Sequence, residues 1–261
     1  METRYAAWRL SHEARRALVL AGASLLSAAC GDTAHRLGDG PGRTQEGNDL
    51  LTVHECEADQ LLEPIDYMED GDGSIEFTAG RAGLWFAFND HTGTQEPDIF
   101  AESFVMSPLA PPRQGSRFAV HTSGSGFTDW GAGLGLDLRV QQPYDASGYA
   151  GISFWARRAS GNGLSLQLAV PDSATSPLGR QCDAEAELCH DDFGELIDLT
   201  DDWVYYHYTW DQMLARDWSE QSLRGVKNIN PSKIYGIRFQ VEKFNDFDFW
   251  IDDLSFMCRA E

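Results

Sequence analysis

A two-residue alternation of apolar and polar side chains recurs from residue 83 to the C-terminal end, and it constrains the fold more than any other feature. Successive side chains of a strand point to opposite faces, so strict alternation marks a strand with one buried face. Leu134, Leu136, Leu138 and Val140 alternate with Gly135, Asp137, Arg139 and Gln141. Ile152, Phe154 and Ala156 alternate with Ser153, Trp155 and Arg157. Leu164, Leu166, Leu168 and Val170 alternate with Ser165, Gln167 and Ala169. Tyr206, Tyr208 and Trp210 alternate with Tyr205, His207 and Thr209, and Ile237, Phe239 and Val241 with Arg238, Gln240 and Glu242. Gly83–Asn89 and Phe247–Phe256 complete the set, and only Asp211–Arg216 reads as a short helix. About nine or ten strands joined by Gly-, Pro- and Asp-rich turns predict an all-β fold, an antiparallel β-sandwich. The 42 % hydrophobic content, with 8 Trp, 14 Phe and 8 Tyr, supplies a core.

Length and charge narrow the function. The chain of 261 residues carries a net charge of −21. Phosphate backbones are bound by a surplus of Lys and Arg, so nucleic acid is excluded as a partner, and so is docking on an anionic membrane surface. No apolar run is long enough to span a bilayer. Arg15 and Arg16 precede an apolar stretch, Ala17 to Leu26, and then Ser27-Ala28-Ala29-Cys30. A charged flank, a short apolar run and small residues before a cut describe an export signal. The Cys after the small residues resembles a bacterial lipobox, in which Cys30 is acylated and becomes the new N-terminus. Ser27 and Leu26 depart from the usual order of that motif. Gly31 after the Cys implies outer-membrane sorting. The expected organisation is a lipoprotein signal over residues 1–30, a flexible tether over 31–52 and one β-sandwich over 53–261, in the cell envelope or secreted.

Five Cys is an odd count, and lipidation of Cys30 leaves four. Four allow three pairings. The expected ones are Cys182 with Cys189 as a loop staple and Cys56 with Cys258 as a clasp between the domain's ends. Zinc is the rival, but no CxxC pair exists and export favours oxidation.

Three passages occur in order: Asp66-Tyr67-Met68-Glu69-Asp70-Gly71, the run from Gly83 through Asn89-Asp90-His91-Thr92-Gly93-Thr94, and Phe249-Trp250-Ile251-Asp252-Asp253-Leu254. Between them lie Tyr149–Ala156 and Thr200-Asp201-Asp202-Trp203. This set resembles the galactose-binding-like jelly rolls, in particular family 11 carbohydrate-binding modules, over about Asp66 to Met257. The resemblance implies a structural Ca²⁺ tying the first strand to the last. Hard oxygen ligands suit that ion. Glu69 matches the opening acidic position, and Asp252 or Asp253 the closing one. An EF-hand over Asp70-x-Asp72-Gly73 is discarded, because Met68 and Ala79 would occupy its two end ligand positions.

The faces opposite the aliphatic stripes carry Trp155, Arg157, Gln167, Tyr205, His207, Arg238 and Gln240. Flat aromatics suit sugar C–H faces and fork-shaped polar groups suit paired hydroxyls, so these seven form the candidate carbohydrate site. Gly131-x-Gly133-x-Gly135 precedes a strand and is no dinucleotide fingerprint, and GxSxG, HExxH and P-loop motifs are absent. His190-Asp191-Asp192 reads as surface decoration. The expected function is non-catalytic binding of polysaccharide or oligosaccharide by a monomeric, membrane-anchored lipoprotein that is not an enzyme. Binding of protein partners or a scaffold role is the first alternative, and a jelly-roll glycoside hydrolase or polysaccharide lyase the second.

Overall fold

The structure is a computed structural model that describes residues 54–159, 163–184, 188–215 and 226–259, all within one compact unit spanning Leu50–Glu261. The export signal, Cys30 and the tether lie outside the described residues. Among the described residues twelve strands form: β1 (Leu62–Asp66), β2 (Trp85–Asn89), β3 (Thr94–Glu96), β4 (Ser107–Arg113), β5 (Ser116–Ser125), β6 (Ala132–Asp137), β7 (Tyr149–Arg158), β8 (Leu164–Val170), β9 (Phe193–Leu199), β10 (Val204–Thr209), β11 (Gly236–Val241) and β12 (Phe247–Cys258). A seven-stranded sheet runs β10-β7-β12-β5-β3, with β1 beside β12 and β4 beside β5; a five-stranded sheet runs β2-β6-β11-β8-β9. The strand pairs are antiparallel. From β5 onward every consecutive strand except the β8–β9 pair changes sheet. That exchange makes the two-layer antiparallel sandwich of a jelly roll.

The alternation read from sequence sets the core. Leu134 and Leu136, Ile152 and Phe154, Leu166 and Leu168, Ile237 and Phe239, Phe249 and Ile251 are all buried between the sheets. Phe154 meets Phe239 edge-on across the gap, with ring centroids 5.0 Å apart. Both disulfides form as expected, Cys56–Cys258 and Cys182–Cys189, with Cα atoms 5.8 and 5.2 Å apart.

Two local expectations differ. Asp211–Ala215 are turn and bridge residues rather than helix, with Arg216 outside the described residues. Leu214 exchanges both backbone hydrogen bonds with Gly194 at the edge of β9, and Gln212 accepts from the Thr209 amide. Pairing on an open sheet edge satisfies these groups at once, whereas one helical turn leaves most of its own unsatisfied. Val140 is exposed because β6 ends at Asp137 and the chain then leaves the sheet.

Candidate functional site

The seven predicted site residues fall on two surfaces. Trp155 and Arg157 on β7 and Tyr205 and His207 on β10 lie on the outer face of the seven-stranded sheet. Gln167 on β8 and Arg238 and Gln240 on β11 lie on the outer face of the five-stranded sheet. They cannot line one cleft, because the core separates the two outer faces. Periodicity tells which face of its own strand a side chain takes, and nothing about which sheet the strand joins.

On the seven-stranded sheet the rings stack on one another. Trp155 packs on Tyr205 (5.3 Å between centroids), and Tyr205 on His207 (5.8 Å). The Arg113 guanidinium, from the end of β4, lies 4.7 Å from the Trp155 ring and 5.5 Å from that of Trp203. Arg157 lies 5.3 Å from both Trp203 and Trp250, and His121 covers Trp250 at 4.0 Å. The result is a continuous ladder of alternating aromatic and cationic groups across β10, β7, β12 and β5. A sugar stacks on a free ring face, and the Trp155, Trp203 and Trp250 rings already carry cationic or aromatic neighbours, whereas Tyr205 at the edge remains exposed. The ladder is a lateral tie between strands, each cation–ring contact contributing about 0.5–2 kcal/mol.

The predicted metal locus adjoins the ladder. Glu69, Asp252 and Asp253 do come together, with Ser116 between Glu69 and Asp252. Most of their oxygens already accept hydrogen bonds or ion pairs. Glu69 accepts from the amides of Arg117 (2.7 Å) and Phe118 (3.1 Å) and from Arg117 Nε (3.0 Å). Partial burial works against its ionisation, yet these donors hold its pKa below the ordinary value. Asp252 is buried and accepts from Arg113 Nε at 2.9 Å, while Asp253 pairs with the other end of the same guanidinium. Burial pushes the Asp252 pKa up against the pull of Ser116 and Arg113. Among the described residues no three His, Cys, Asp or Glu side chains are grouped so as to hold a metal ion. The donor set therefore does not fit the Ca²⁺ that the resemblance implied.

The outer face of the five-stranded sheet is open only in part: Leu196 is exposed and Arg238 and Gln240 partly so, while the predicted Gln167 is buried, as is Ala169. One row of outward positions crosses all its strands: Phe88, Gly133, Gln240, Gln167 and Leu196. The next row is Phe86, Gly135, Arg238, Ala169 and Gly194. The two β6 glycines explain the run that looked like a broken nucleotide motif. A Cβ on Gly133 would come within 2.9 Å of the Phe88 ring, and one on Gly135 within 2.9 Å of the Phe86 ring. Without side chains there, both phenyl rings lie down over β6 and form an aromatic shelf beside the low floor.

Trp130 extends that shelf. It packs on Phe88 (6.1 Å) and remains 42 % exposed. Its loop is fixed by Asp90, whose Oδ2 accepts the amides of Asp129, Trp130 and Gly131, each at 2.9 Å. The other oxygen takes the Thr92 amide and hydroxyl. Burial opposes the charge, but these five donors hold the Asp90 pKa down at about 2. Gln240 donates from its amide to the Trp130 carbonyl at 3.4 Å. At the opposite end Arg238 pairs with Asp192 (3.1 Å) and reaches His190 Nδ1 (3.3 Å). Asp191 and Asp192 are buried while His190 is exposed, so the two acids are part of the face rather than surface decoration. Burial raises the Asp137 pKa to about 6 against the pull of Arg238.

Sequence reasoning missed Phe86, Phe88, Trp130, Asp90 and Asp137 as members of this site. Trp130 sits in a loop, where no periodicity marks it. The Asn89-Asp90-His91-Thr92 turn before it was the available signal, since a short acid after a strand commonly gathers turn amides.

No protein-family model matches the sequence, and no curated protein sequence is similar to it. Solved structures are similar in fold. The solution structure of the module CtCBM11 matches 79 % of this chain and 100 % of its own, at 11 % identity and a TM-score of 0.50. A family 11 carbohydrate-binding module from Clostridium thermocellum, in complex with a β-1,3-1,4-mixed-linked tetrasaccharide, matches 73 % of this chain and 98 % of its own, at 14 % identity and a TM-score of 0.48. TmCBM61 in complex with β-1,4-galactotriose matches 74 % and 99 %, at 13 % identity and a TM-score of 0.36. The chain is thus a β-sandwich of the kind found in carbohydrate-binding modules.

Proposed function

We propose that this protein binds polysaccharide without cleaving it, on the outer face of its five-stranded sheet, and that it is exported and held in the cell envelope by a lipid on Cys30. The observation that carries the reading is Trp130, a tryptophan left 42 % exposed beside the forked side chain of Gln240, with Arg238 in the next row of the same face. A pyranose can lie on the indole while those groups meet its hydroxyls. The solved modules in complex with oligosaccharides share the sandwich.

Affinity electrophoresis and calorimetry against a panel of soluble polysaccharides test it. Trp130→Ala is expected to remove most affinity with little change in melting temperature, as loss of an anchor does. Tyr205→Ala is expected to leave affinity within about twofold, because that ring belongs to the ladder. The reverse pattern places the site on the other sheet, and no binding by the wild type to any glycan favours the protein-partner or scaffold reading. Cys30→Ser is expected to move the protein from the membrane fraction to soluble fluid, and unchanged membrane association would remove the anchor.

Polysaccharide cleavage is the second reading. It is favoured by one observation, that Asp137 and Asp192 both bear on Arg238 at one end of the face. Hydrolytic glycosidases use such a pair of carboxyls. New reducing ends that vanish in Asp137→Asn would establish it.

A further inference from the structure

We propose that Arg113 is a built-in cation that takes the place of a divalent metal where the β4–β5 hairpin meets β12, so that this sandwich keeps its fold and its ligand face without calcium. Consecutive residues on a strand point to opposite faces, so neighbouring Asp252 and Asp253 should not reach the same partner. They do so here because β12 bulges between Asp252 and Ser255 against β7, with Asp253 in the left-handed region at φ +48°. The bulge breaks the alternation and turns both carboxylates onto one guanidinium. Asp252 meets Nε at 2.9 Å and Asp253 meets the terminal nitrogen. A forked, permanently charged group suits that pair as no single ammonium would.

Arg113 is also held from its faces. It lies between Trp155 at 4.7 Å and Trp203 at 5.5 Å, and its side chain is only 7 % exposed. Swinging out to admit a metal would expose two indoles and abandon both ion pairs. Glu69 is occupied by Arg117 and two amides. Two arginines thus offset two of the three carboxylates that would have to hold a metal, and each places its own positive charge where the dication would sit. Strand β4 delivers the arginine, β12 the aspartates and β7 one aromatic wall, so the charge joins the elements that a bridging metal would otherwise have to join.

The experiment is thermal melting in millimolar Ca²⁺ and in EDTA, for the wild type, Arg113→Met and Arg113→Met with Asp252→Asn and Asp253→Asn. The wild type should melt at the same temperature in both. Arg113→Met strands a buried carboxylate and should lower the midpoint by roughly 10 °C in EDTA. It should regain several degrees in Ca²⁺, because a ligand bound only by the folded state stabilises it by mass action. The added Asn substitutions should abolish that response. A Ca²⁺-dependent wild-type midpoint overturns the proposal, and so does an Arg113→Met protein that melts like the wild type or ignores Ca²⁺. Should Arg113→Met not fold, the wild-type comparison still decides, and Arg113→Lys, which keeps the charge but not the fork, should fold with a midpoint below that of the wild type and unchanged by Ca²⁺. A final arm measures polysaccharide affinity of the wild type in EDTA, expected within twofold of that in Ca²⁺. That arm rests on the proposed glycan function, whereas the melting arms do not.

Discussion

One carboxylate places one indole: Asp90 gathers the amides of residues 129–131 and so sets Trp130 against Phe88. Asp90→Ala should release that loop, leaving several amides to water, and should cost about 1–3 kcal/mol of stability. Its polysaccharide affinity should fall as far as that of Trp130→Ala, although Asp90 itself need touch no sugar. Calorimetry on both variants checks this, and full affinity in Asp90→Ala would mean the loop is held by other contacts. Asp66 acts in the opposite electrostatic sense. It is buried, accepts from Trp85 Nε1 and the Met68 amide, and burial raises its pKa to about 7. A folded pKa above the unfolded one favours the fold fully below about pH 4, and that contribution is lost as pH rises through 7. Asp137, raised to about 6, has the same sign. Asp90, lowered to about 2, supports the fold above about pH 4, and its contribution is lost only as pH falls through 2. Between pH 5 and 8 Asp66 and Asp137 act together with Asp172 and Asp252, whose pKa values burial also raises, and against His190, whose pKa desolvation and the Arg238 charge lower. The melting temperature should fall across that interval, and Asp66→Asn should flatten the slope. A wild-type profile that rises instead would refute the assignment.

At the scale of strands, the direction of each side chain was legible in the sequence and the partnership between strands was not. Phe154, Ile152 and Ala156 face the core as the alternation required, with Trp155 and Arg157 opposite them. Tyr205 and His207 are exposed while Tyr206 and Tyr208 are half-buried against the core, so the register of β10 was also correctly read. Alternation arises within one strand and needs no knowledge of its neighbours. Sheet membership depends on where the chain crosses, and here nearly every connection after β5 crosses between sheets. The seven candidates were therefore divided between opposite faces. Phe154→Ala should cost about 3–5 kcal/mol, since it empties the middle of the core. Tyr206→Ala should cost less, because its ring is half-buried and its hydroxyl reaches the Asp198 carbonyl at 3.2 Å near solvent. Tyr205→Ala should cost about 1 kcal/mol, the value of one ladder contact. Denaturant midpoints for the three give the order, and a Tyr205 effect as large as that of Phe154 would contradict the sheet assignment.

At the scale of the molecule, the placement of the Cys56–Cys258 clasp bears on how an anchored protein carries load. The chain before residue 54 leads back toward Cys30, where we propose the lipid. A pull on bound polysaccharide would reach the domain through its N-terminal end. Strand β1 is the first described element on that path, and among the described residues it pairs with the C-terminal half of β12, from Leu62 opposite Met257 to Asp66 opposite Leu254. Short edge pairing of that kind opens one hydrogen bond at a time. The disulfide lies ahead of it and hands the force from Cys56 directly to Cys258, at the end of a strand flanked by β7 on one side and by β5 and β1 on the other. It closes a separation of 202 residues, for which the chain-entropy model gives about 5 kcal/mol. Paired replacement of Cys56 and Cys258 by Ala should therefore have two separable effects. The melting temperature should drop by roughly 10–20 °C, and β1 should detach well before the core opens. Limited proteolysis below the melting transition should then cut the double variant between residues 57 and 66 while leaving the wild type intact. Under single-molecule extension the variant should show an early, weak rip that the wild type lacks. Identical cleavage and extension in the two proteins would mean that β1 is held by its own contacts, including the buried Arg81, which grips Glu63 and the Pro64 carbonyl.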